Sequence, residues 1–348
     1  MRPLCVIAAA SRVFFGAVVD LPELYGASWL AGLLGGVLFL PFALIADALT
    51  RHDPGQPLRI LLDGCGKTVS DILCVIIAVL LLWDAACMAQ GVTDSAGYIA
   101  LRKSPVSLLL FVLMAVIWYS VSCNGTGIGG SGRIWSRLIP LLAAAIFFLQ
   151  LSTYRLGFLA PWLGRDGSTL LDGAFRCAGW YAALLPAWLI SDPDERAPRL
   201  KLTPCLAAAC LSSCLLMAMH GLETPPAQFA DRNRVFQMDA IMTNGRFPLS
   251  LELPIIVMWF GSLLHLLVLE IFVSAALLQR VFRFTHGRTA AFFCAAAASA
   301  AVIADLAEQR SAVFLSGCVY PGAWIAAILL FLAARIRKAG TRKCENCT

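Results

Sequence analysis

Charged residues are scarce in this chain. Asp, Glu, Lys and Arg make up 14% of its 348 residues, whereas hydrophobic residues make up 59% and the mean hydropathy is +0.79. A soluble protein of this length has too little interior to bury so much apolar surface, which excludes that class and indicates a polytopic membrane protein. The net charge of +6 comes from basic residues beside membrane spans, so it indicates no nucleic-acid partner.

Motifs of enzymes and metal sites are missing as well. The sequence contains no G-x-x-x-x-G-K-[ST], no H-E-x-x-H and no Cys/His cluster with structural-zinc spacing. The glycine-rich segment 125–132 follows no strand, so a flexible connection is favoured over a phosphate loop. Most of the thirteen cysteines lie in apolar runs, and for the C-x-x-C of Cys344 and Cys347 a free, reduced tail is favoured over a metal or redox site. The sequence therefore predicts no enzyme, no metal and no cofactor.

Long hydrophobic runs are abundant. Ten runs are long enough for a membrane helix, which needs about 20 apolar residues. They cover residues 4–22, 27–49, 70–92, 104–122, 137–153, 175–191, 203–220, 252–280, 289–306 and 313–334. Ten spans place both termini on one side, and that side carries seventeen Lys and Arg residues against nine on the other. The positive side is normally the cytoplasm, so both termini are predicted to be cytoplasmic.

The connection lengths suggest an internal repeat. In the first five spans a short connection, Leu24–Gly26, precedes a long one, Thr50–Val69; in the second five, Asp192–Lys201 precedes Gly221–Leu251. Because each half has an odd number of spans, the halves are inverted, as in five-plus-five inverted-repeat transporters of the LeuT type. Two unrelated long loops are the alternative. The predicted fold is one all-α ten-span domain over 1–336, with repeats at about 4–153 and 175–334 and a basic cytoplasmic tail at 337–348.

In that architecture the first helix of each repeat is broken at mid-membrane and exposes backbone groups to the ligand. The first span has Phe15 and Gly16 at its centre, where glycine permits a break. The sixth has Gly179 and Trp180, followed by Pro186, which removes a backbone donor. We therefore predict broken helices 1 and 6, with a ligand carboxylate near the amides of Gly16 or Gly179.

Four ionisable residues lie deep inside the apolar runs: Arg12, Asp84, His265 and Glu270. Charges at this depth cost about 2.5–3.5 kcal/mol on insertion scales, so we expect these four around one polar cavity. His265 and Glu270 are about 140° apart around a helix, which argues against a direct pair. The alternative is an interhelical clamp, for instance between Arg12 and Asp84, that transports nothing.

Six further acidic residues lie near span ends, where a solvated headgroup position explains them. They are Asp20, Asp47, Asp71, Asp192, Asp305 and Glu308. No functional role is predicted for them.

Three local patterns carry a family resemblance. The first is Leu21-Pro22 followed by the segment 26–32, GASWLAG; the second runs from 159 to 173, with LAPW and the glycines at 164 and 173; the third is 245–253, GRFPLSLEL, followed by Trp259. Together with the ten-span layout they resemble the spore germination permease family, the B subunit (GerAB type) of germinant receptors. That family belongs to the amino acid–polyamine–organocation transporter superfamily. Here Ser28 stands where the first pattern usually has an acid. In the third pattern the family usually has an acid–arginine pair followed by Asp or Glu, whereas Leu251-Glu252-Leu253 keeps one acid and lacks that arginine.

The resemblance implies a small germinant, for example an amino acid, bound between spans 1, 3, 6 and 8. It also implies partner A and C subunits and residence in the inner membrane of a spore. The predicted ligand-binding residues are Phe15, Gly16, Asp84, Gly179, Trp180 and His265. Two alternatives stay open: a proton-coupled amino-acid or amine transporter using Asp84, His265 or Glu270, and a structural subunit with a vestigial cavity.

Overall fold

A computed structural model describes most of the predicted spans. The described residues are 2–52, 67–99, 104–123, isolated positions between 137 and 148, 154–160, 163–189, 201–223, 252–282 and 287–308. The tenth predicted span, the Cys344 and Cys347 tail, the glycine-rich segment 125–132 and the third family pattern up to residue 251 lie outside them.

The described elements are all helical. The α-helices are α1 (Arg2–Asp20), α2 (Ser28–His52), α3 (Lys67–Ile99), α4 (Val106–Ser122), α5 (Gly167–Trp180), α6 (Leu185–Leu189), α7 (Leu202–Glu223), α8 (Glu252–Phe282) and α9 (Gly287–Glu308). Three 3-10 segments cover Pro22–Ala27, Leu156–Leu159 and Tyr181–Leu184. An apolar segment in lipid has no water to bond its backbone, so it pairs its own N–H and C=O groups as a helix.

Five of these helices are long and apolar enough to cross a membrane. The candidate spans are Ser28–Ala48, Lys67–Asp94, Leu202–Leu222, Phe260–Phe282 and Gly287–Ala304. Shorter apolar helices cover Cys5–Phe14 and Val106–Ser122. The all-helical membrane fold is thus confirmed for the described residues, whereas the ten-span count and the inverted repeat stay predictions.

The helices pack in two groups that share α1. In the first group, α2 packs on α5 and α7. In the second group, α8 packs on α3, and α9 packs on α3, α4 and α8. Helix α1 contacts α7 and α5 on one side and α8 on the other, and it also packs on the 3-10 segment Tyr181–Leu184. The middle of α1 therefore lies where side chains from both groups meet.

The predicted break in the first helix is wrong. Helix α1 runs as one α-helix from Arg2 to Asp20, straight through Gly16. In the sixth span the α-helix does stop at Trp180 and resumes at Leu185 after a 3-10 segment. Pro186 explains this change, because it has no N–H for the Ala182 carbonyl, which accepts from the Leu185 N–H instead.

The first two family patterns lie against each other. The Gly26 Cα faces Leu159 so closely that a Cβ there would be 2.7 Å from the Leu159 Cα. Gly164 has a φ of +68°, a left-handed conformation suited to glycine, and it packs on the Leu24 backbone. Gly173 packs on the Leu24 side chain. The glycines of these patterns therefore serve close packing between the start of α2 and the approach to α5.

Candidate functional site

A buried ion pair joins α1 to α3. Arg12 Nη2 is 2.7 Å and Arg12 Nε is 3.2 Å from the same oxygen, Asp84 Oδ1. The two side chains are only 3% and 2% exposed. A pair so fully removed from water holds its partners tightly, because losing either leaves the other as an uncompensated buried charge. The interhelical contact that the sequence suggested as an alternative is therefore present.

Glu270 of α8 adds a second carboxyl group to this pair. It has no exposed surface, and the charged groups that act on it are Asp84 and Arg12. Both of its carboxylate oxygens, and Asp84 Oδ2, have no hydrogen-bond partner among the described residues. We call Arg12, Asp84 and Glu270 the central charge cluster. It contains two acids and one base, so its formal charges do not balance.

The indole of Trp180 covers one side of the cluster. Arg12 Cζ lies 5.4 Å from the centre of a Trp180 ring, a distance at which a guanidinium is attracted to the π face. Gly16 lies one turn beyond Arg12 on α1, and a Cβ there would be 2.7 Å from Trp180 Cε2. Gly16 therefore permits the close approach of α1 to Trp180, which is the physical reason for its position, rather than a helix break.

The remaining predicted site residues are more dispersed. His265 is half-buried on α8, and its Nδ1 is 3.0 Å from the Gly261 carbonyl oxygen of the same helix. It is five residues from Glu270 and so faces another direction. Gly179 is buried in the last turn of α5 beside Trp180. Phe15 lies in α1, and its side chain is outside the described part of the chain. Three of the four deep ionisable residues thus meet, and His265 is not placed with them.

Sequence reasoning missed a second buried polar region, between α2 and α7. Tyr181 Oη lies 2.7 Å from Ser213 Oγ and 3.2 Å from the Gly32 carbonyl oxygen. Asp47 accepts from the backbone N–H of Leu202 at 2.6 Å and of Thr203 at 2.9 Å. We call this region, with Gly32, Asp47, Tyr181 and Ser213, the α2–α7 seam.

Asp47 corrects a prediction. The sequence placed it at a solvated span end, but it is buried and caps the first turn of α7 from a different helix. A carboxylate there satisfies N–H groups that have no partner inside a helix. In the sequence, Asp47 lies one turn from the end of its apolar run, and α7 begins much later without a capping residue of its own. Only the three-dimensional arrangement shows that the two belong together.

His220 is a further buried polar residue that received no prediction. It lies in the last turn of α7, is 1% exposed and meets the Phe14 ring edge-on, with 6.1 Å between ring centres. Its position at the very end of an apolar run concealed it. In the part of the chain that the structure describes, no group of His, Cys, Asp and Glu residues has an arrangement that holds a metal ion.

Outside the membrane-spanning segments, Asp166 begins α5. Its Oδ1 accepts from Ser168 Oγ, Thr169 Oγ1 and the Thr169 backbone N–H, each at 2.7 Å. These hydrogen bonds, first of all that from Ser168, lower the pKa of Asp166 to about 2. Asp166 is fully exposed and serves the start of the helix, not the central charge cluster.

A known protein is similar to part of this chain. Spore germination protein B2 of Bacillus subtilis (strain 168) is 22% identical over 131 residues, which covers 37% of this chain and 35% of that protein. The matched region thus spans about a third of the length of this relative.

Two solved structures are also similar to this chain. Both are crystal structures of the Eremococcus coleocola manganese transporter, one of a mutant with a single histidine replaced by alanine and one with an aromatic bis-isothiourea substituted compound. Their TM-scores are 0.44 and 0.42 at 11% and 10% identity, and each match covers 94% of this chain and 77% of the other.

The family described as "Spore germination protein", a group of spore permeases, matches residues 5–310. This range includes α1 from Cys5 onward, α2 to α9 and every residue of the central charge cluster. The chain therefore belongs to the spore germination protein family, as the patterns around α2 and α5 predicted.

Proposed function

We propose that this chain is the membrane-embedded B subunit of a spore germinant receptor and binds a small nutrient, such as an amino acid, at the central charge cluster. The observation that carries this proposal is the position of three deep ionisable side chains from three helices, inside a chain that belongs to the spore germination protein family. Ionisable groups at such depth usually face a ligand or an ion pathway.

The chemistry of an amino acid fits these side chains. Its ammonium group needs anionic acceptors, and Asp84 and Glu270 offer three carboxylate oxygens with no hydrogen-bond partner among the described residues. Its carboxylate needs a donor, and the guanidinium of Arg12 is the basic group of the cluster. Trp180 forms an apolar wall beside Arg12. The proposal keeps Phe15, Gly16 and Gly179 as further ligand-binding residues, and His265 as a residue of α8 that does not share the face of Glu270.

The setting follows from the family. The proposal includes A and C receptor subunits as partners, residence in the spore inner membrane, one ten-span domain over 1–336 and both termini in the cytoplasm. It assigns no catalytic reaction to the chain. Ligand binding changes the packing of α1 against its two neighbouring groups and passes that change to the partner subunits.

The test is binding and uptake of a labelled amino-acid panel by the purified chain in liposomes, alone and with A and C subunits. The proposal predicts binding without net uptake, and loss of binding in Glu270→Gln. Glu23→Gln is the matched control, since Glu23 is an exposed acid in the 3-10 segment before α2. Equal affinity in wild type and Glu270→Gln would contradict the assignment of the site.

A second candidate function shares the same site. A secondary transporter of amino acids or amines would take up the labelled panel without partner subunits. Glu270 favours this candidate, because a carboxyl buried without a hydrogen-bond donor among the described residues is a typical position for a coupling ion. Gradient-driven uptake by the chain alone would make it a permease and would replace the receptor proposal.

A further inference from the structure

Asp84 of α3 and Glu270 of α8 lie on two helices that pack against each other, and the charged groups that act on the buried Glu270 are Asp84 and Arg12. Yet Asp84 Oδ2 and both oxygens of Glu270 have no hydrogen-bond partner among the described residues. The reason is chemical: two ionised carboxylates are both acceptors, so neither has a hydrogen to donate. A single proton on either group turns it into a donor, and the other group then accepts from it.

The charge of the cluster is a second reason to expect a proton on one of the two acids. Arg12 supplies one positive charge, and its Nε and Nη2 both point to Asp84 Oδ1. With both acids ionised, one negative charge stays uncompensated among side chains that are almost completely buried. An isolated carboxylate in such surroundings is far less favourable than a neutral, hydrogen-bonded one. The cluster becomes electrically neutral when it holds one additional positive charge.

No other described residue supplies this charge. Of the helices packed on α8, α4 and α6 carry no charged residue, and the charged residues of α9 are confined to its two ends. Arg12 of α1 and Asp84 of α3 are the charged groups that act on Glu270. On α8 itself, His265 faces away from Glu270, and Arg280 lies almost three turns further along.

We propose that Asp84 and Glu270 share one bound proton, so that the central charge cluster is a proton-binding site within the membrane. The proton makes one carboxyl group a hydrogen-bond donor to the other and balances the charge. A proton suits this position better than a metal ion, since no described group of residues has an arrangement that holds a metal.

One consequence rests on the proposed function. The ammonium group of a bound amine brings the one positive charge that the cluster needs, so its arrival at Asp84 and Glu270 releases the shared proton. A zwitterionic amino acid also brings a carboxylate and is neutral overall, so its binding leaves the shared proton in place. Binding of an amine therefore strengthens as the pH rises, because the proton and the ammonium compete for the same oxygens.

Infrared spectroscopy of the purified full chain in liposomes tests the proton site without any germinant. Wild type at neutral pH is expected to show the carbonyl band of a protonated carboxylic acid, shifted in D2O. Glu270→Gln and Asp84→Asn are each expected to lose this band, because one acid and Arg12 then balance without a proton. Glu23→Gln is expected to keep it.

A conservative variant guards against loss of fold. Glu270→Asp retains a carboxyl group and is expected to keep the band at a changed frequency. No carboxylic-acid band in wild type at neutral pH would overturn the proposal, and so would a band that persists unchanged in both Glu270→Gln and Asp84→Asn.

The same infrared measurement with ligands present distinguishes this proposal from the receptor assignment. A simple amine that binds is expected to abolish the band and to acidify a weakly buffered solution by one proton per ligand, whereas a zwitterionic amino acid that binds is expected to leave the band in place. A band present in wild type with no amino acid bound at any concentration contradicts the receptor function and supports the proton site. Amino-acid binding without any carboxylic-acid band in wild type supports the receptor function and contradicts the proton site.

Discussion

The central charge cluster and the α2–α7 seam are both buried and polar, but they differ in how completely their groups are paired. In the seam, both oxygens of Asp47 accept backbone N–H groups, and Tyr181 meets Ser213 and the Gly32 carbonyl. In the cluster, Arg12 bonds a single oxygen of Asp84, while Asp84 Oδ2 and Glu270 have no hydrogen-bond partner among the described residues.

The difference distinguishes polar groups that are already fully hydrogen-bonded from polar groups that can still accept a hydrogen bond or a positive charge. Groups that are completely paired hold two helices in register and have nothing left to offer a ligand. A cluster that is one positive charge short remains unfavourable until a proton or a cationic group enters it. A buried acid can therefore hold helices together or stay open to a further charge, and the pairing of each of its oxygens distinguishes the two cases.

The largest expected effect comes from removing the basic group of the cluster. Arg12→Gln leaves two buried acids without a counter-charge, and breaking a buried pair in this way costs about 3–5 kcal/mol of unfolding free energy. Reversible unfolding in detergent measures this loss. Arg176→Gln is the matched control, because the Arg176–Asp172 pair at 2.9 Å is 19% and 48% exposed. An exposed pair contributes about 0–1 kcal/mol, so comparable losses in both variants would contradict the importance of burial.

The next effect concerns the contact between α1 and Trp180. Gly16→Ala places a methyl group 2.7 Å from Trp180 Cε2, and overpacking of this kind costs about 1–3 kcal/mol, partly offset by the better helix propensity of alanine. Thermal unfolding in detergent measures the change, and Trp180→Phe in the same chain is expected to restore part of it. Gly167→Ala, which meets nothing within 4 Å, should be tolerated. Equal behaviour of the two glycine variants would refute the close approach.

A smaller effect is expected in the seam. Asp47→Ala removes the acceptor for the Leu202 and Thr203 N–H groups, and loss of such a cap costs about 0.5–2 kcal/mol. Asp47→Asn keeps one acceptor oxygen and is expected to lose less. Amide hydrogen exchange at the start of α7 should accelerate in both variants, whereas amino-acid binding should stay at the wild-type level. Loss of binding in Asp47→Asn with unchanged folding would mean that the seam also has a functional role.

The smallest effect concerns pH at Asp166, outside both regions. Its pKa is about 2 in the folded chain against an ordinary value of 3.8, so ionised Asp166 stabilises the start of α5. This contribution is complete above the unfolded value and disappears as the pH falls through the folded one. Protection of the Thr169 amide, which is its exchange rate relative to the intrinsic rate at the same pH, should therefore fall on acidification from about pH 4 to about pH 2. Asp166→Ala should show low protection at every pH, and protection that still falls with pH in that variant would assign the effect to another group.

Several features could be predicted from the sequence because they depend on local chemistry. Continuous apolar runs predicted the helices, and α2, α7 and α9 begin and end within a few residues of the predicted spans. Pro186 predicted a local change in the sixth span, where the α-helix gives way to the 3-10 segment Tyr181–Leu184, since a missing N–H acts wherever the chain folds as a helix. A break that exposes backbone groups there stays a prediction. The short patterns around α2 and α5 predicted the family, which matches residues 5–310.

Other predictions failed because their cause lies in a different part of the chain. Gly16 suggested a helix break, but its small size accommodates Trp180, which is 164 positions away along the sequence. Asp47 suggested a headgroup position, but it caps α7, whose first turn begins 155 residues later. Neither partner is visible from local composition, because each contact depends on how separate helices pack.

Hydropathy and the positions of ionisable residues thus determined that this chain is a helical membrane protein with charges at depth, since transfer into lipid depends on composition alone. Tertiary structure decided which of those charges meet. Arg12, Asp84 and Glu270 come from three helices and face each other, while His265 on the helix of Glu270 does not. Electrostatic energy depends on the distances between groups, and only the packing of α1, α3 and α8 sets those distances.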